Sequence, residues 1–115
     1  MKNPYDCAHD LVKSIRESRE YQEYSSKLKF LKNNPKDYEM VTDLKKRQFE
    51  LERKRLSGEI LPEDEQKKFQ ELANIAMMNP QIASYMQAEM SFMRIMGDIY
   101  KIIGDGLELD LGFLK

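Results

Sequence analysis

Apolar residues along this 115-residue chain recur at spacings of three and four, and β-branched residues never alternate with polar ones over a useful length. The first pattern is typical of amphipathic helices, whereas strands would need the second. The connections between the apolar segments are short, which favours antiparallel neighbours. We therefore predict an all-α fold, an elongated antiparallel bundle of about five helices that forms one domain over residues 1–115.

Asparagine–proline pairs predict where helices begin. Asparagine accepts a hydrogen bond from an otherwise unpaired backbone N–H at a helix start, and proline suits the next position because its φ is already helical. The pairs are Asn3-Pro4, Asn34-Pro35 and Asn79-Pro80. Ser18 and Pro62 predict two further starts, and Gly58 predicts a helix end. The predicted helices span residues 4–17, 19–33, 35–57, 62–78 and 80–106, which leaves 107–115 as a frayed tail.

The last predicted helix has more apolar surface than one bundle requires. Its apolar arc is much wider than the roughly 100° stripe of an ordinary surface helix. Its length of about 40 Å also exceeds the roughly 35 Å diameter of a 115-residue globule. We therefore predict a homodimer, with this interface: Ile82, Tyr85, Glu89, Phe92, Met96, Ile99 and Ile103. The alternative is a single bundle whose first, second and fourth helices cover this helix.

Glu89 is a charged residue in the middle of that apolar arc. A buried carboxylate needs a partner or becomes protonated. Gln48 and Arg55 lie within the apolar stripe of the third predicted helix, which should run parallel to the fifth. We predict that these two residues are polar core partners of Glu89 and fix the register of the contact. The alternative places Glu89 at the rim, where it reaches water.

Positive charge is concentrated in one part of the chain. Residues 27–55 hold ten basic and five acidic side chains, a net charge of +5 within a chain of net charge −1. The basic face of the third helix consists of Lys46, Arg47, Arg53 and Lys54. Such a face can bind RNA or an acidic partner through phosphate or carboxylate groups. We favour a solvated helix face, because acidic residues interrupt the basic ones, and we keep RNA binding as the alternative.

The residues that could carry chemistry are few. One cysteine excludes an internal disulfide and a cysteine-based zinc site, and the single histidine excludes a histidine-rich metal site. Cys7 and His9 are two apart on a helix and point to different faces, so they do not form a metal or redox pair. No apolar run approaches the roughly 18 residues of a membrane span, and no signal peptide is indicated. We expect a cytoplasmic, non-enzymatic protein without metal or cofactor.

Five segments of the sequence resemble those of a known family. They are Tyr5–Leu11 (YDCAHDL), Ser18–Tyr21 (SREY), Leu56–Pro62 (LSGEILP), Asn79–Glu89 (NPQIASYMQAE) and Ile99–Ile103 (IYKII). In order, they resemble the family's opening helix, the break before its second helix, its glycine-then-proline turn and two parts of its final helix. The family is YlbF/YmcA/YheA, a group of small helical proteins from Gram-positive bacteria. The resemblance covers roughly Asn3 to Leu107 and is closest to the YheA branch.

The resemblance implies an all-helical protein that dimerises through long helices. YlbF and YmcA belong to a complex that assists ribonuclease Y in mRNA processing and affects competence, sporulation and biofilm formation. The implied function is therefore a regulatory adaptor, whose partners are itself, other family members or a ribonuclease complex. YlbF and YmcA also carry cysteines that help to hold iron–sulfur clusters. This chain has only Cys7 and no C-terminal cysteine, so no cluster is expected.

Overall fold

The computed structural model of the protein describes residues 3–108, and helices make up 87% of them. The helices are α1 (Pro4–Glu17), α2 (Arg19–Lys32), α3 (Pro35–Leu56), α4 (Glu63–Met77) and α5 (Pro80–Gly106). No strand occurs in this part of the chain. The predicted all-α fold is confirmed, and each predicted helix end lies within one residue of the observed one. Most of the predicted frayed tail, residues 109–115, lies outside the described residues.

The chain divides into two compact units. Unit 1 combines Met1–Ser25 with Gln87–Lys115, and unit 2 is Ser26–Met86. Unit 1 therefore contains α1, the start of α2 and the larger part of α5. Unit 2 contains the end of α2, all of α3 and α4, and the first turns of α5.

Side-chain caps set the boundaries of α1 and α2. The Asn3 side-chain oxygen accepts a hydrogen bond from the Asp6 N–H at 2.8 Å, as the sequence predicted. The Ser18 hydroxyl donates to the Ile15 carbonyl oxygen at 2.6 Å and accepts from the Tyr21 N–H at 3.2 Å. Ser18 therefore ends α1 and begins α2, because its hydroxyl forms a hydrogen bond with an otherwise unpaired backbone group of each helix.

A glycine in the left-handed conformation ends α3. Gly58 has a φ of +79°, and its N–H donates to the Arg55 carbonyl oxygen at 3.3 Å. The next N–H, of Glu59, donates to the Lys54 carbonyl oxygen at 3.0 Å. This pair of bonds is the Schellman motif, which satisfies the last carbonyl groups of a helix and turns the chain. The turn reverses the direction of the chain, so that α4 runs back along α3.

The core of unit 2 contains residues from the end of α2, from α3 and α4, and from the start of α5. Met40 and Leu72 line one cavity, and Lys54 binds Glu65 at the other end of the helices, so α3 and α4 are antiparallel. The buried residues are Leu31, Val41, Leu44, Ala76, Ile82 and Tyr85. Five of the six are large apolar or aromatic side chains, whose burial supplies most of the stability of such a unit.

Asp37 connects the first turn of α3 to the start of α5. Its two carboxylate oxygens accept hydrogen bonds from the Asn34 side-chain amide at 2.9 Å and from the Asn79 side-chain amide at 3.0 Å. The Asn79 oxygen in turn accepts from the N–H groups of Gln81 and Ile82 at 2.9 and 3.4 Å. Asn79 therefore caps α5 as predicted, while Asp37 holds that cap in place.

The prediction that the Asn34 side chain caps α3 is wrong. Asn34 occupies the N-cap position, but its side chain makes no capping hydrogen bond. The Asn34 amide instead donates to the Asp37 carboxylate. A hydrogen bond to a charged acceptor is stronger than one between neutral groups, and the sequence gives no sign that Asp37 is already fixed by Asn79.

Lys45 and Tyr85 make a second polar contact between α3 and α5. The Lys45 ammonium donates to the Tyr85 hydroxyl at 2.8 Å and lies 5.0 Å from the centre of the Tyr85 ring. Because Asp37 precedes Lys45 on α3 and Asn79 precedes Tyr85 on α5, the two helices run parallel here. This confirms the predicted direction of the third and fifth helices.

An aromatic cluster joins α2 to α5 in unit 1. Phe92 stacks on Tyr24 with ring centroids 4.9 Å apart, and meets Tyr21 edge-on at 5.5 Å. Among the described residues of unit 1, however, only Ala88 is buried. The packing of this unit therefore depends on a few half-buried aromatic rings.

Replacement of Asp37 by alanine should destabilise the protein, because it leaves two side-chain amides without their charged acceptor. We expect a loss of about 1–2 kcal/mol in the free energy of unfolding. The measurement is urea denaturation at one fixed protein concentration. Asp43→Ala on the same helix is the control, since it removes only a surface ion pair with Arg47 and should cost less than about 0.5 kcal/mol. Equal effects of the two variants would contradict the connecting role of Asp37.

Replacement of Gly58 by alanine should also destabilise the protein. No heavy atom lies within 4 Å of a Cβ placed there, so the cost comes from the positive φ alone, about 1 kcal/mol. Gly58→Asn should cost less, because asparagine tolerates this conformation better than alanine. Thermal unfolding of the two variants tests the order, and an alanine variant as stable as the parent would show that the turn adopts another conformation.

Candidate functional site

Two adjacent apolar rows run along α5, and the chain itself covers only one of them well. The first row repeats at three and four residues and consists of Ile82, Tyr85, Glu89, Phe92, Met96, Ile99 and Ile103, the predicted dimer interface. Ile82 and Tyr85 are 0% and 2% exposed within the single chain. Both fill the core of unit 2, so the single chain already covers them, and their place beside a dimer interface stays a prediction.

The remaining members of the first row are covered to different degrees. Phe92 packs on the tyrosines of α2, and Glu89, Met96 and Ile99 are partly exposed. Ile103 is exposed. Their place at a dimer interface stays a prediction.

A second row, one residue further along, lies on unit 1 and is exposed except at Gly104, which is half-buried. We call it the outer seam: Met90, Met93, Gly97, Tyr100 and Gly104. Met90, Met93 and Tyr100 are 66%, 53% and 69% exposed. A Cβ added at Gly97 would meet no heavy atom within 4 Å. The three-and-four spacing of this seam is visible in the sequence, but the seam was not predicted, because both rows lie within one wide apolar arc.

The first helix contributes further uncovered apolar surface to unit 1. Tyr5, Leu11 and Val12 are exposed, and none of the fourteen residues of α1 is buried. A helix this short is marginally stable in water by itself. Along the outer seam the exposed apolar side chains follow one another on one face of α5, and an exposed apolar patch marks an interaction site on a soluble protein. The best-supported functional site of the chain is therefore an apolar binding surface on unit 1.

The polar residues predicted around Glu89 do not lie in the core of unit 2. Gln48 and Arg55 are exposed, although the stripe pattern placed them among buried residues. Arg55 forms an ion pair with Glu52 on its own helix, and that hydrogen bond lowers the pKa of the Glu52 carboxyl. An exposed guanidinium is hydrated as well as paired, so burial would cost energy. The pairing of Glu89 with Gln48 or Arg55 stays a prediction.

The basic face of α3 is neutralised by acidic side chains of the same chain. Lys46, Arg47 and Lys54 line a cavity of about 260 Å³ together with Glu50, Leu51 and Glu65. Three of the four residues of the basic face have carboxylate partners. Arg47 pairs with Asp43 at 3.2 Å, Arg53 with Glu50 at 3.1 Å and Lys54 with Glu65 at 2.9 Å. A phosphate would have to compete with these carboxylates, so the surface is better described as a charge-balanced face.

Cys7 and His9 both lie on the exposed surface of α1. Within residues 3–108, no group of three or more histidine, cysteine or acidic side chains is arranged to hold a metal ion. None of the five helices is both long enough and apolar enough to cross a membrane.

Comparison with known proteins places this chain in a family. The family model described as "Control of competence regulator ComK, YlbF/YmcA" matches residues 5–108. A UPF0342 protein from Caldicellulosiruptor bescii is 39% identical over 94% of this chain and 91% of its own length. Another from Symbiobacterium thermophilum is 33% identical over 96% of this chain and 99% of its own length.

The chain belongs to the YlbF/YmcA family. A solved structure, a protein of unknown function (DUF964) from Bacillus stearothermophilus, has the same fold, with a TM-score of 0.75 and 22% identity over 90% of this chain and 91% of its own. The family is linked to control of the competence regulator ComK. The resemblance found in the sequence is therefore confirmed, and this YlbF/YmcA protein is a member of a regulatory family.

The charge pairing on α3 leads to a prediction about RNA. We expect the parent protein to give no gel shift with single-stranded RNA at about 150 mM salt. The triple variant Glu50→Gln, Glu52→Gln, Glu65→Gln removes the partners of Arg53, Arg55 and Lys54 and should produce a shift that weakens as salt rises. A salt-dependent shift with the parent protein would contradict the neutralised face and support RNA binding.

Proposed function

We propose that this protein is a non-enzymatic, cytoplasmic adaptor that associates with itself and regulates by binding other proteins. The regulatory process follows from the resemblance to YlbF and YmcA: ribonuclease Y-dependent mRNA processing, with effects on competence, sporulation and biofilm formation. Its partners would be a second copy, other family members or a ribonuclease complex. The regulatory description of the family and the apolar surface of unit 1 both support a binding role.

The observation that carries self-association is the amount of surface the single chain exposes. Its accessible area is 9484 Å², whereas a folded monomer of this mass exposes about 6,600 Å². Subtracting about 1,500 Å² for the nine residues outside the described range, the area they would have in an unfolded chain, still leaves an excess of about 1,400 Å². Obligate homodimers bury about 1,000–2,500 Å² on each chain, so a second copy accounts for the excess.

A second copy is the partner best suited to so large a surface. Unit 1 has little core of its own, so a partner must cover its apolar surface. That partner must be present in the cell whenever this chain is synthesised. The chain itself meets this requirement, and homodimers with two-fold symmetry are the commonest oligomers. The net charge of −1 also means that two copies repel each other little.

Sedimentation equilibrium from about 1 to 100 µM protein tests self-association. We expect a dimer for the parent protein and a dissociation constant at least about tenfold higher for Met93→Asp, because a charge would be buried in the interface. Gln87→Asp, on the polar side of α5, is the matched control and should leave the dimer intact. A parent protein that is monomeric throughout this range would refute self-association.

The proposed partners require a separate test. Purified ribonuclease Y, YlbF and YmcA are each passed over the immobilised protein, in its parent form and as Met93→Asp. Specific retention of any of the three by the parent protein supports a role in mRNA processing. If none is retained at about 10 µM, an affinity in the range of regulatory complexes is excluded, and this part of the proposal is wrong.

A further inference from the structure

A cleft in unit 2 lies between the end of α2 and the first turns of α5. It has a volume of about 410 Å³ and is lined by Ser26, Lys27 and Phe30 of α2 and by Pro80, Gln81 and Ser84 of α5. Sites for ligands usually have volumes of about 300–1,000 Å³. The cleft shares no residue with the outer seam, so a molecule bound to one does not occupy the other.

The cleft carries charge of one sign. Lys27 is the one charged side chain among its six lining residues, and within residues 3–108 this lysine has no ion-pair partner. Two other cavities of unit 2 differ, because the first is lined by Glu50 and Glu65 and the second by Glu39 and Asp43. A carboxylate that entered the cleft would therefore meet a cation without having to displace a carboxylate of the protein.

The segments around the cleft add positive charge and no negative charge. Between Glu23 and Asp37 the chain has four lysines and no acidic residue, and residues 80–88 of α5 carry no charge. The two bordering carboxylates are already bound, since Glu23 pairs with Arg19 at 3.1 Å and Asp37 accepts hydrogen bonds from two side-chain amides. This local positive potential attracts an acidic ligand.

Helix stability explains only some of these lysines. Lys29 and Lys32 lie in the last turn of α2, where a cation interacts favourably with the negative end of the helix. This effect falls off beyond the last turn, so it does not account for Lys27. Lys36 lies in the first turn of α3, where a cation is unfavourable. The positive charge at the cleft is therefore not a by-product of helix formation.

Apolar surface lies beside the charge of the cleft. Phe30 is 55% exposed, and Pro80 on the other helix is exposed as well. At about 100° per residue, Phe30 lies between Lys27 and Lys29 around the axis of α2. The other lining side chains are two hydroxyls and one amide, which can form hydrogen bonds with a peptide backbone. The ligand that suits this surface combines a carboxylate, an apolar side chain and a peptide backbone.

We propose that this cleft binds a short acidic segment of a partner protein, with a carboxylate on Lys27 and an apolar side chain against Phe30 and Pro80. This inference rests on the proposed adaptor function and assigns the partner surface to unit 2. Self-association would cover apolar surface of unit 1, so an adaptor needs another surface for a second protein. Peptide fits better than single-stranded RNA, because RNA requires a row of cations along its phosphates and the cleft has one lysine in its lining.

Selection from random dodecapeptides displayed on phage tests the proposal. The library is selected on the parent protein, and the dissociation constants of the recovered peptides are measured by fluorescence anisotropy. We expect peptides with aspartate or glutamate next to leucine or phenylalanine. Lys27→Glu and Phe30→Ala should each weaken their binding at least about tenfold. Lys68→Glu, the same charge reversal at an exposed position of α4, is the matched control and should leave binding unchanged.

Thermal unfolding and sedimentation equilibrium of the same variants show whether fold and self-association are intact. Both are expected to be unchanged, because Lys27 and Phe30 are exposed and lie outside the outer seam. Recovered peptides without acidic residues, or acidic peptides that bind Lys27→Glu as well as the parent, would overturn the proposal. Binding of single-stranded RNA but of no acidic peptide would also overturn it.

The experiment separates failure of the cleft from failure of the proposed function. If the parent protein retains ribonuclease Y, YlbF or YmcA but selects no acidic peptide, the cleft proposal is wrong and the adaptor function stands. If the protein selects acidic peptides that depend on Lys27 but retains none of those three proteins, the cleft is supported and the proposed partners are wrong.

Discussion

One helix, α5, carries apolar side chains on two adjacent rows, and this constraint organises the rest of the molecule. The rows are offset by one residue, which is about 100° around the helix, so one set of neighbours cannot cover both. Its own chain covers the first row where Ile82 and Tyr85 enter the core of unit 2 and Phe92 stacks on Tyr24. The outer seam remains exposed, and the function proposed for the protein follows from that exposure.

Polar contacts determine how α5 is aligned with α3 in unit 2. Apolar packing alone permits a helix to slide, because many similar side chains fit similar spaces. Asp37 and Asn79 fix the two helices at one level, and Lys45 and Tyr85 fix them again further along. Hydrogen bonds of defined geometry thus select one register for a core whose stability comes from apolar burial.

The fold pairs many of the basic side chains in residues 27–55 with acidic side chains, so the net positive charge of this segment does not indicate a free basic surface. Glu65 is far from Lys54 in sequence, yet the turn at Gly58 returns α4 so that the two side chains bind. Glu50 and Glu52 are close in sequence to Arg53 and Arg55 and bind them along α3. The face that carries the highest positive charge in the sequence therefore presents mostly paired cations, whereas unit 1 presents uncovered apolar surface. This contrast favours protein binding over nucleic-acid binding.

The sequence by itself determined the local structure, because helix starts and ends depend on neighbouring residues. Asn3, Ser18, Gly58, Pro62 and the asparagine–proline pairs were sufficient to locate the five helices, and five short segments were sufficient to indicate the family. Tertiary structure decided whatever depends on contacts distant in sequence. Asp37 draws Asn34 away from its cap because Asn79 lies opposite. Tertiary structure also decided which apolar row of α5 faces its own chain. Periodicity shows that a helix has an apolar face, but both rows of α5 have the same period. Only the packing of α2, α3 and α4 against α5 distinguishes the two rows.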